Sequence, residues 1–279
     1  MTNQIYPCLW FDGKAKAAAD FYCSVFKNSK ITANNPMVTT FEIEGYKFMG
    51  LNGGPLFKIN PSISFFVLFT SAVEVEAIWN MLSKDGSVMM PLNKYPWNEK
   101  YGWCQDKFGV NWQLMMNQNE TSTEKIIPSL MFTQSNAGNA EKAINFYTSV
   151  FKNSSVISIS RYLKGEHDVE GTIKHAQFTF GKQLFAAMDS SGAHAFTFNE
   201  GISFVVDCET QEEIDYYWDK LTEGGVESKC GWLKDKFGVS WQIVPTILGK
   251  LMSDPIKSQN VTQAFMQMKK FDIEKLMNA

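Results

Sequence analysis

The sequence predicts an α+β protein built from four βαβββ units in two tandem copies, and three observations carry that expectation. A length of 279 residues allows two domains, each with its own core. The nonapeptide Phe21-Tyr-Cys-Ser-Val-Phe-Lys-Asn-Ser29 returns as Phe146-Tyr-Thr-Ser-Val-Phe-Lys-Asn-Ser154, with one difference in nine positions, and Asp106-Lys-Phe-Gly-Val-Asn-Trp-Gln113 returns as Asp235-Lys-Phe-Gly-Val-Ser-Trp-Gln242. These landmarks stand 85 residues apart in one copy and 89 in the other, so the repeat is a whole domain and not a short solenoid unit. Within each copy, period-two runs alternate with single helical stripes.

Copy two gives the element order. An apolar run over Ile126–Phe132 reads as a strand; Asn139 then caps a helix whose Ala143, Ile144, Tyr147, Val150 and Phe151 share one face. Three β-type segments follow at Val156–Tyr162, Thr172–Phe180 and Gln183–Met188, separated by Gly-bearing turns. The pattern restarts at Ile202–Val206, and Thr210-x-x-Glu213 is a capping box for a helix lined by Ile214, Tyr217, Trp218 and Leu221. Copy one supplies Ser71-x-x-Glu74 with Val75, Ile78, Trp79 and Leu82 at the same offsets. Gly224-Gly225 ends the helix, and short strands near Glu227–Lys229, Trp232–Lys234 and Val239–Val244 complete the unit. The expected divisions are a first domain at 1–118, a polar linker at 119–125, a second domain at 126–245 and a helical tail at 246–279, with apolar stripes near Ala264–Met268 and Phe271–Met277. Length differences between the copies are expected at Met89–Lys100 and Leu163–Gly171.

Paired βαβββ units resemble the vicinal-oxygen-chelate (glyoxalase/bleomycin-resistance/dioxygenase) superfamily, and more closely its PhnB-like branch. The resemblance rests on the Ala-x-x-Phe-Tyr-x-Ser-Val-Phe helix, His175-Ala, Ile202-Ser-Phe, Trp218-Asp-Lys-Leu, Cys230-Gly-Trp232, Asp235 to Pro245 and the tail motif Gln267-Met-Lys-Lys-Phe-Asp-Ile, nearly the whole chain. It implies two tandem glyoxalase-like domains whose antiparallel-rich sheets curl into cups beneath outer helices. Members of the branch often bear the name of a demethylubiquinone methyltransferase. The sequence gives methyl transfer no support, since no Gly-rich strand-to-helix turn opens a parallel βα unit.

Composition narrows the partners. A formal charge of −3 leaves no basic field for a phosphate backbone, so no nucleic acid is expected. The segment from Met1 to Cys8 lacks the pattern of a signal peptide, and the longest apolar run, Ile63–Phe69, is too short to span a bilayer. Five cysteines at irregular spacing, without Cys-x-x-Cys, suit a reducing compartment. The expectation is a cytoplasmic protein with no membrane partner, a small-molecule ligand and room for homo-oligomerisation.

Metal-dependent relatives place ligands on the first and last strands of a unit, the last being a Glu seven residues after the Asp of an Asp-x-x-Gly turn. Gln113 and Gln242 occupy that place, and the first strands near Leu9–Phe11 and Leu130–Phe132 offer no His, Glu or Gln. No metal and no cofactor is therefore expected. Alternation turns Ile173, His175, Gln177 and Thr179 away from the apolar face, so His175 and Gln177 point into a cup, joined by Gln242; Val38 and Thr40 are their counterparts in copy one. For His175, a ring satisfied by a neighbouring amide or water competes with a ligand contact. Arg161, the sole arginine, is a surface charge or a clamp for carboxylate or phosphate. Trp103 and Trp232 are core residues or cup walls, Cys230 is a structural or a reactive thiol, and the loop Leu163–Gly171 is solvated or a lid.

Three functions compete: a metal-free small-molecule-binding protein; a lyase, isomerase or dioxygenase-like enzyme with its site in copy two; and a chain whose first copy only supports the second or an oligomer. No catalytic constellation decides between them.

Overall fold

The computed structural model describes residues 3–117 and 124–279; position 118 and positions 119–123 of the expected linker lie outside the described residues. All four units are present. The first runs β1 (Ile5–Phe11), α1 (Ala15–Val25), β2 (Ser29–Asn34), β3 (Val38–Ile43) and β4 (Tyr46–Asn52). The second runs β5 (Ile63–Phe69), α2 (Ala72–Leu82), β6 (Ser87–Tyr95), β7 (Asn98–Gln105) and β8 (Asn111–Met116). The third comprises β9 (Ile126–Phe132), α3 (Ala140–Val150), β10 (Val156–Arg161), β11 (Ile173–Phe180) and β12 (Gln183–Asp189). The fourth comprises β13 (Ile202–Cys208), α4 (Gln211–Thr222), β14 (Val226–Glu227), β15 (Trp232–Lys234) and β16 (Ser240–Pro245), and the tail adds α5 (Ile247–Met252), α6 (Ser258–Met266) and α7 (Ile273–Met277).

Ser71 and Thr210 cap α2 and α4 as expected, accepting from the Glu74 and Glu213 amides at 3.4 and 3.3 Å. Asn139 does not cap α3. The Asp189 carboxylate on β12 takes that place, accepting from Gly138 N at 2.8 Å and Ala140 N at 3.1 Å, because a charged acceptor one strand away serves both free donors at once. The long β6–β7 hairpin of copy one and the 162–172 connection of copy two are the expected length differences.

Units of the same copy share a core. In copy one, Phe48 meets Phe65 at 5.2 Å between ring centroids, and the Tyr22 hydroxyl of α1 donates to Asp106 at 2.8 Å. Copy two repeats the arrangement with Phe185–Phe204 at 5.4 Å and Tyr147 donating to Asp235 at 2.7 Å. Each buried Asp also accepts from a Trp indole, Trp112 or Trp241, and from two backbone amides of its own turn.

The sheets obey a different division. One eight-stranded sheet has the order β14-β15-β16-β13-β1-β4-β3-β2, the other β10-β11-β12-β9-β5-β8-β7-β6. The first and fourth units thus form one sheet, and the second and third form the other. The seams are antiparallel, β1 on β13 (Ile5↔Val206 to Leu9↔Ile202) and β5 on β9 (Ile63↔Leu130 to Val67↔Ile126). This corrects the expectation that each copy closes a cup of its own. With the helix-bearing faces of a copy packed together, its β1-type and β5-type edges remain open, and an uncovered edge is a row of unpaired N–H and C=O groups. The matching edges of the other copy cover both. The Gln183 side chain of β12 ties the two sheets together, accepting from Ile5 N of β1 at 3.1 Å and donating to Ile5 O at 2.6 Å.

Candidate functional site

Curvature makes each sheet a cup. Neighbouring strands lie about 4.8 Å apart, so partners three strands away are roughly 14 Å distant along a flat sheet. Yet Trp10 on β1 reaches Trp232 on β15 at 5.8 Å between ring centroids, and Phe66 on β5 reaches His175 on β11 at 6.0 Å. We call the cup of the first and fourth units the outer cup and that of the second and third units the inner cup.

The expected site residues divide between them. Gln242 and Trp232 belong to the outer cup, together with Val38 and Thr40 on β3. His175 and Gln177 belong to the inner cup, together with Gln113 and Trp103, which face each other across β7 and β8. The grouping of His175, Gln177 and Gln242 in one cup is therefore incorrect, since β11 and β16 lie in different sheets. Arg161 is in neither cup: it forks onto Glu141 of α3 and donates to Gly171 O at 3.0 Å, a surface ion pair on the helix side. Ile173 also leaves the cup face and is buried among the helices, where the β10–β11 register shifts between Ser160 and Arg161. The 163–171 loop is tied down, with Glu166 accepting from Leu163 N and Asp168 from Ser191 N.

One substitution separates the cups. Pro7-Cys-Leu-Trp-Phe11 and Pro128-Ser-Leu-Met-Phe132 are equivalent strands, so Trp10 of the outer cup corresponds to Met131 of the inner. The Trp10 indole donates to Gly54 O at 2.7 Å and packs edge-on against Phe57 as well as Trp232. Gly53 makes room for it; a Cβ there would sit 2.2 Å from the indole. Beneath it Tyr6, Cys8 and Val205 form a small buried cluster with Met49, Leu51 and Val244. The Trp10 indole therefore lies across the outer cup with part of its surface still exposed, whereas Met131 is buried in the floor of the inner cup. In the inner cup, His175 and Gln177 are half-buried and have no hydrogen-bond partner among the described residues, and the Trp103 indole N–H is buried without an acceptor among them. Burial pushes the His175 pKa down, so its ring is neutral at physiological pH.

The positions at which the resemblance implied metal ligands carry a neutral pair in both cups. Gln113 Nε2 donates to Ser64 Oγ at 2.7 Å, and Gln242 Nε2 donates to Ser203 Oγ at 3.0 Å. Tyr101 donates to Gln113 Oε1 at 2.5 Å and is itself packed by Tyr95 and Trp97. On the first strands, Leu9, Phe11, Leu130 and Phe132 turn into the core, so the cup positions are Cys8 and Ser129. Burial pushes the Cys8 thiol up to about 12, against the pull of Gln242 and Ser203. Amide, hydroxyl and protonated thiol are weak ligands for a divalent ion, so these residues do not fit one. Among the described residues, no three His, Cys, Asp or Glu side chains gather as a ligand set. Cys230 sits at φ 57° in the loop before β15, and burial raises its pKa, which leaves it a thiol.

Sequence reasoning missed Trp10, Phe66, Tyr101, Ser64 and Ser203. The period-two alternation of their strands could have shown which way they face; which strands share a sheet was not readable from it.

The chain matches the family model described as 3-demethylubiquinone-9 3-methyltransferase over residues 3–115 and 124–244. A PhnB protein from Bacillus cereus, described as a putative 3-demethylubiquinone-9 3-methyltransferase, is 33% identical, covering 40% of this chain and 98% of its own, with a TM-score of 0.38. Glyoxalase I from Zea mays is 12% identical and covers 91% of this chain and 97% of its own with a TM-score of 0.61, a likeness of fold. No curated protein matches the chain. No helix among the described residues is long and apolar enough to cross a membrane. The repeated motifs and the family match over both copies place this chain in the family whose model carries the 3-demethylubiquinone-9 3-methyltransferase description, the family of PhnB-like proteins, on a fold like that of glyoxalase I.

Proposed function

We propose that the protein binds a small molecule in the inner cup without a metal ion, while the outer cup is closed by Trp10. The observation that carries this reading is that His175, Gln177 and the buried Trp103 indole N–H of the inner cup have no hydrogen-bond partner among the described residues, while in the outer cup the larger Trp10 indole stands at the position of Met131 and is bonded to Gly54 O. A concave, largely apolar surface with a few unpaired polar groups is the usual form of a small-molecule site. Methyl transfer forms no part of the reading, because no Gly-rich turn lies between a first strand and its helix.

The test is a fragment screen followed by the indole N–H resonances in two-dimensional NMR, with Trp103 and Trp10 assigned by substitution. Binding that shifts Trp103 and is weakened roughly 5- to 150-fold by His175→Ala supports the reading, the range expected for a lost buried hydrogen bond. Val38→Ala in the outer cup leaves affinity unchanged. Fragments that shift Trp10 and spare Trp103 would place the site in the other cup.

A further inference from the structure

The chemistry of the inner cup narrows its ligand, an inference that rests on the reading above. Cup-facing alternates of β11, β12, β9, β5 and β8 include no Asp, Glu, Lys or Arg, and Glu99, which shares the face of Tyr101 and Trp103 on β7, is paired with Lys94 of β6. The nearest candidate cations are engaged elsewhere: Arg161 pairs with Glu141 on the helix side, and Lys174 pairs with Glu166. The outer cup differs, since Lys47 on β4 pairs with Asp207 on β13 and lies over the Tyr6 ring at 3.6 Å. A charged ligand in the inner cup would lose water and gain no counter-charge, at a cost that a neutral ligand avoids.

The walls are aromatic and thioether. Phe66 and His175 meet at 79°, which makes a corner of two ring faces, and Trp103 stands on the far side beside Met115 of β8. Met131 and Met188 come from β9 and β12 on the opposite half of the sheet. Such surfaces favour the face and edge of a flat π-system over a flexible aliphatic chain. The polar groups have a definite complement. Trp103 N–H can only donate, and buried without an acceptor it carries an unmet desolvation cost that a ligand oxygen would offset. A neutral His175 offers one donor and one acceptor, and Gln177 offers both.

We infer that the inner cup takes an uncharged, planar aromatic molecule bearing a carbonyl or equivalent acceptor, with the acceptor on the Trp103 indole N–H and the ring between Phe66, His175 and the methionines. Four probes of similar size separate the terms: 2-acetylnaphthalene, 2-ethylnaphthalene without the acceptor, 2-naphthoate with a charge, and 2-decanone without the ring. On the full-length protein, NMR titration should show 2-acetylnaphthalene shifting the Trp103 indole signal and binding about five- to tenfold more tightly than 2-ethylnaphthalene, the worth of one hydrogen bond. Naphthoate and decanone should bind more weakly than both. Trp103→Phe should reduce the acetyl-over-ethyl preference to about one, and His175→Phe, at a half-buried position, should keep that preference while altering overall affinity. Equal or tighter binding of naphthoate or decanone in the inner cup overturns the ligand class while leaving the cup as a site. Failure of all four probes to shift any inner-cup resonance overturns the class and the site together.

Discussion

Replacing Tyr147 by Phe removes one hydroxyl from the buried latch that joins α3 to the turn before β16. Asp235 is fully enclosed and accepts from Tyr147 Oη at 2.7 Å, Trp241 Nε1 at 2.8 Å, Phe237 N at 2.8 Å and Val239 N at 3.1 Å. Burial pushes its pKa up to about 6, with the four donors pulling it down. A hydrogen bond to a charged group is worth about 1.5–3 kcal/mol, and Phe retains the ring packing against Trp241 and Phe180, so the substitution should cost that much at pH 8. The pH dependence has a definite sign. A carboxylate whose folded pKa is raised contributes stability that is fully present below its unfolded pKa and is lost as pH rises through about 6. The tyrosine hydroxyl counters that loss by supporting the ionised form, so its deletion should cost most above pH 6 and least near pH 5. Urea unfolding of both proteins at pH 5 and pH 8 measures the difference. Tyr22→Phe should behave alike through Asp106, and the double substitution should be additive because the two latches share no hydrogen-bond partner. A loss below about 0.5 kcal/mol at pH 8, or one that grows toward acid, would refute the argument that an ionised Asp235 depends on Tyr147.

Trp10→Met copies the inner-cup residue into the outer cup; it should cost about 2–4 kcal/mol of stability and add a second site for 2-acetylnaphthalene, read as a change in calorimetric stoichiometry from one to two. Protein purified without chelator should carry no stoichiometric zinc, nickel, iron or manganese by elemental analysis, and excess EDTA should leave its Tm unchanged, because Ser-Gln pairs occupy both cup floors. Gly231→Ala should release the tail: a Cβ at φ 78° would lie 2.5 Å from the Phe271 ring and 2.7 Å from Ile243 O, so limited proteolysis should cut near α6 and α7 at protease levels that spare the parent.

The sequence by itself determined the units. Helical spacing over Phe146, Tyr147, Val150 and Phe151, the Thr210-x-x-Glu213 cap and the alternation in Thr172–Phe180 are local signals, set by backbone geometry and by which side of an element meets water. The repeat Asp235 to Gln242 also marked the cup-floor position, because its Gln is one residue beyond a Trp that must be buried. The tertiary structure alone decided which cup each residue enters. β1 and β9 are near-copies, as are β5 and β13, so pairing within a copy and pairing across copies present nearly the same side chains to the seam, and no local pattern separates them. What selects the observed pairing is the shared core of each copy, where Tyr22 with Asp106 and Tyr147 with Asp235 hold the helix-bearing faces together and leave the open edges to the other copy. Cap choice at α3 and the outward turn of Arg161 were likewise fixed by partners distant in sequence, Asp189 and Glu141, whose proximity exists only once the chain is folded.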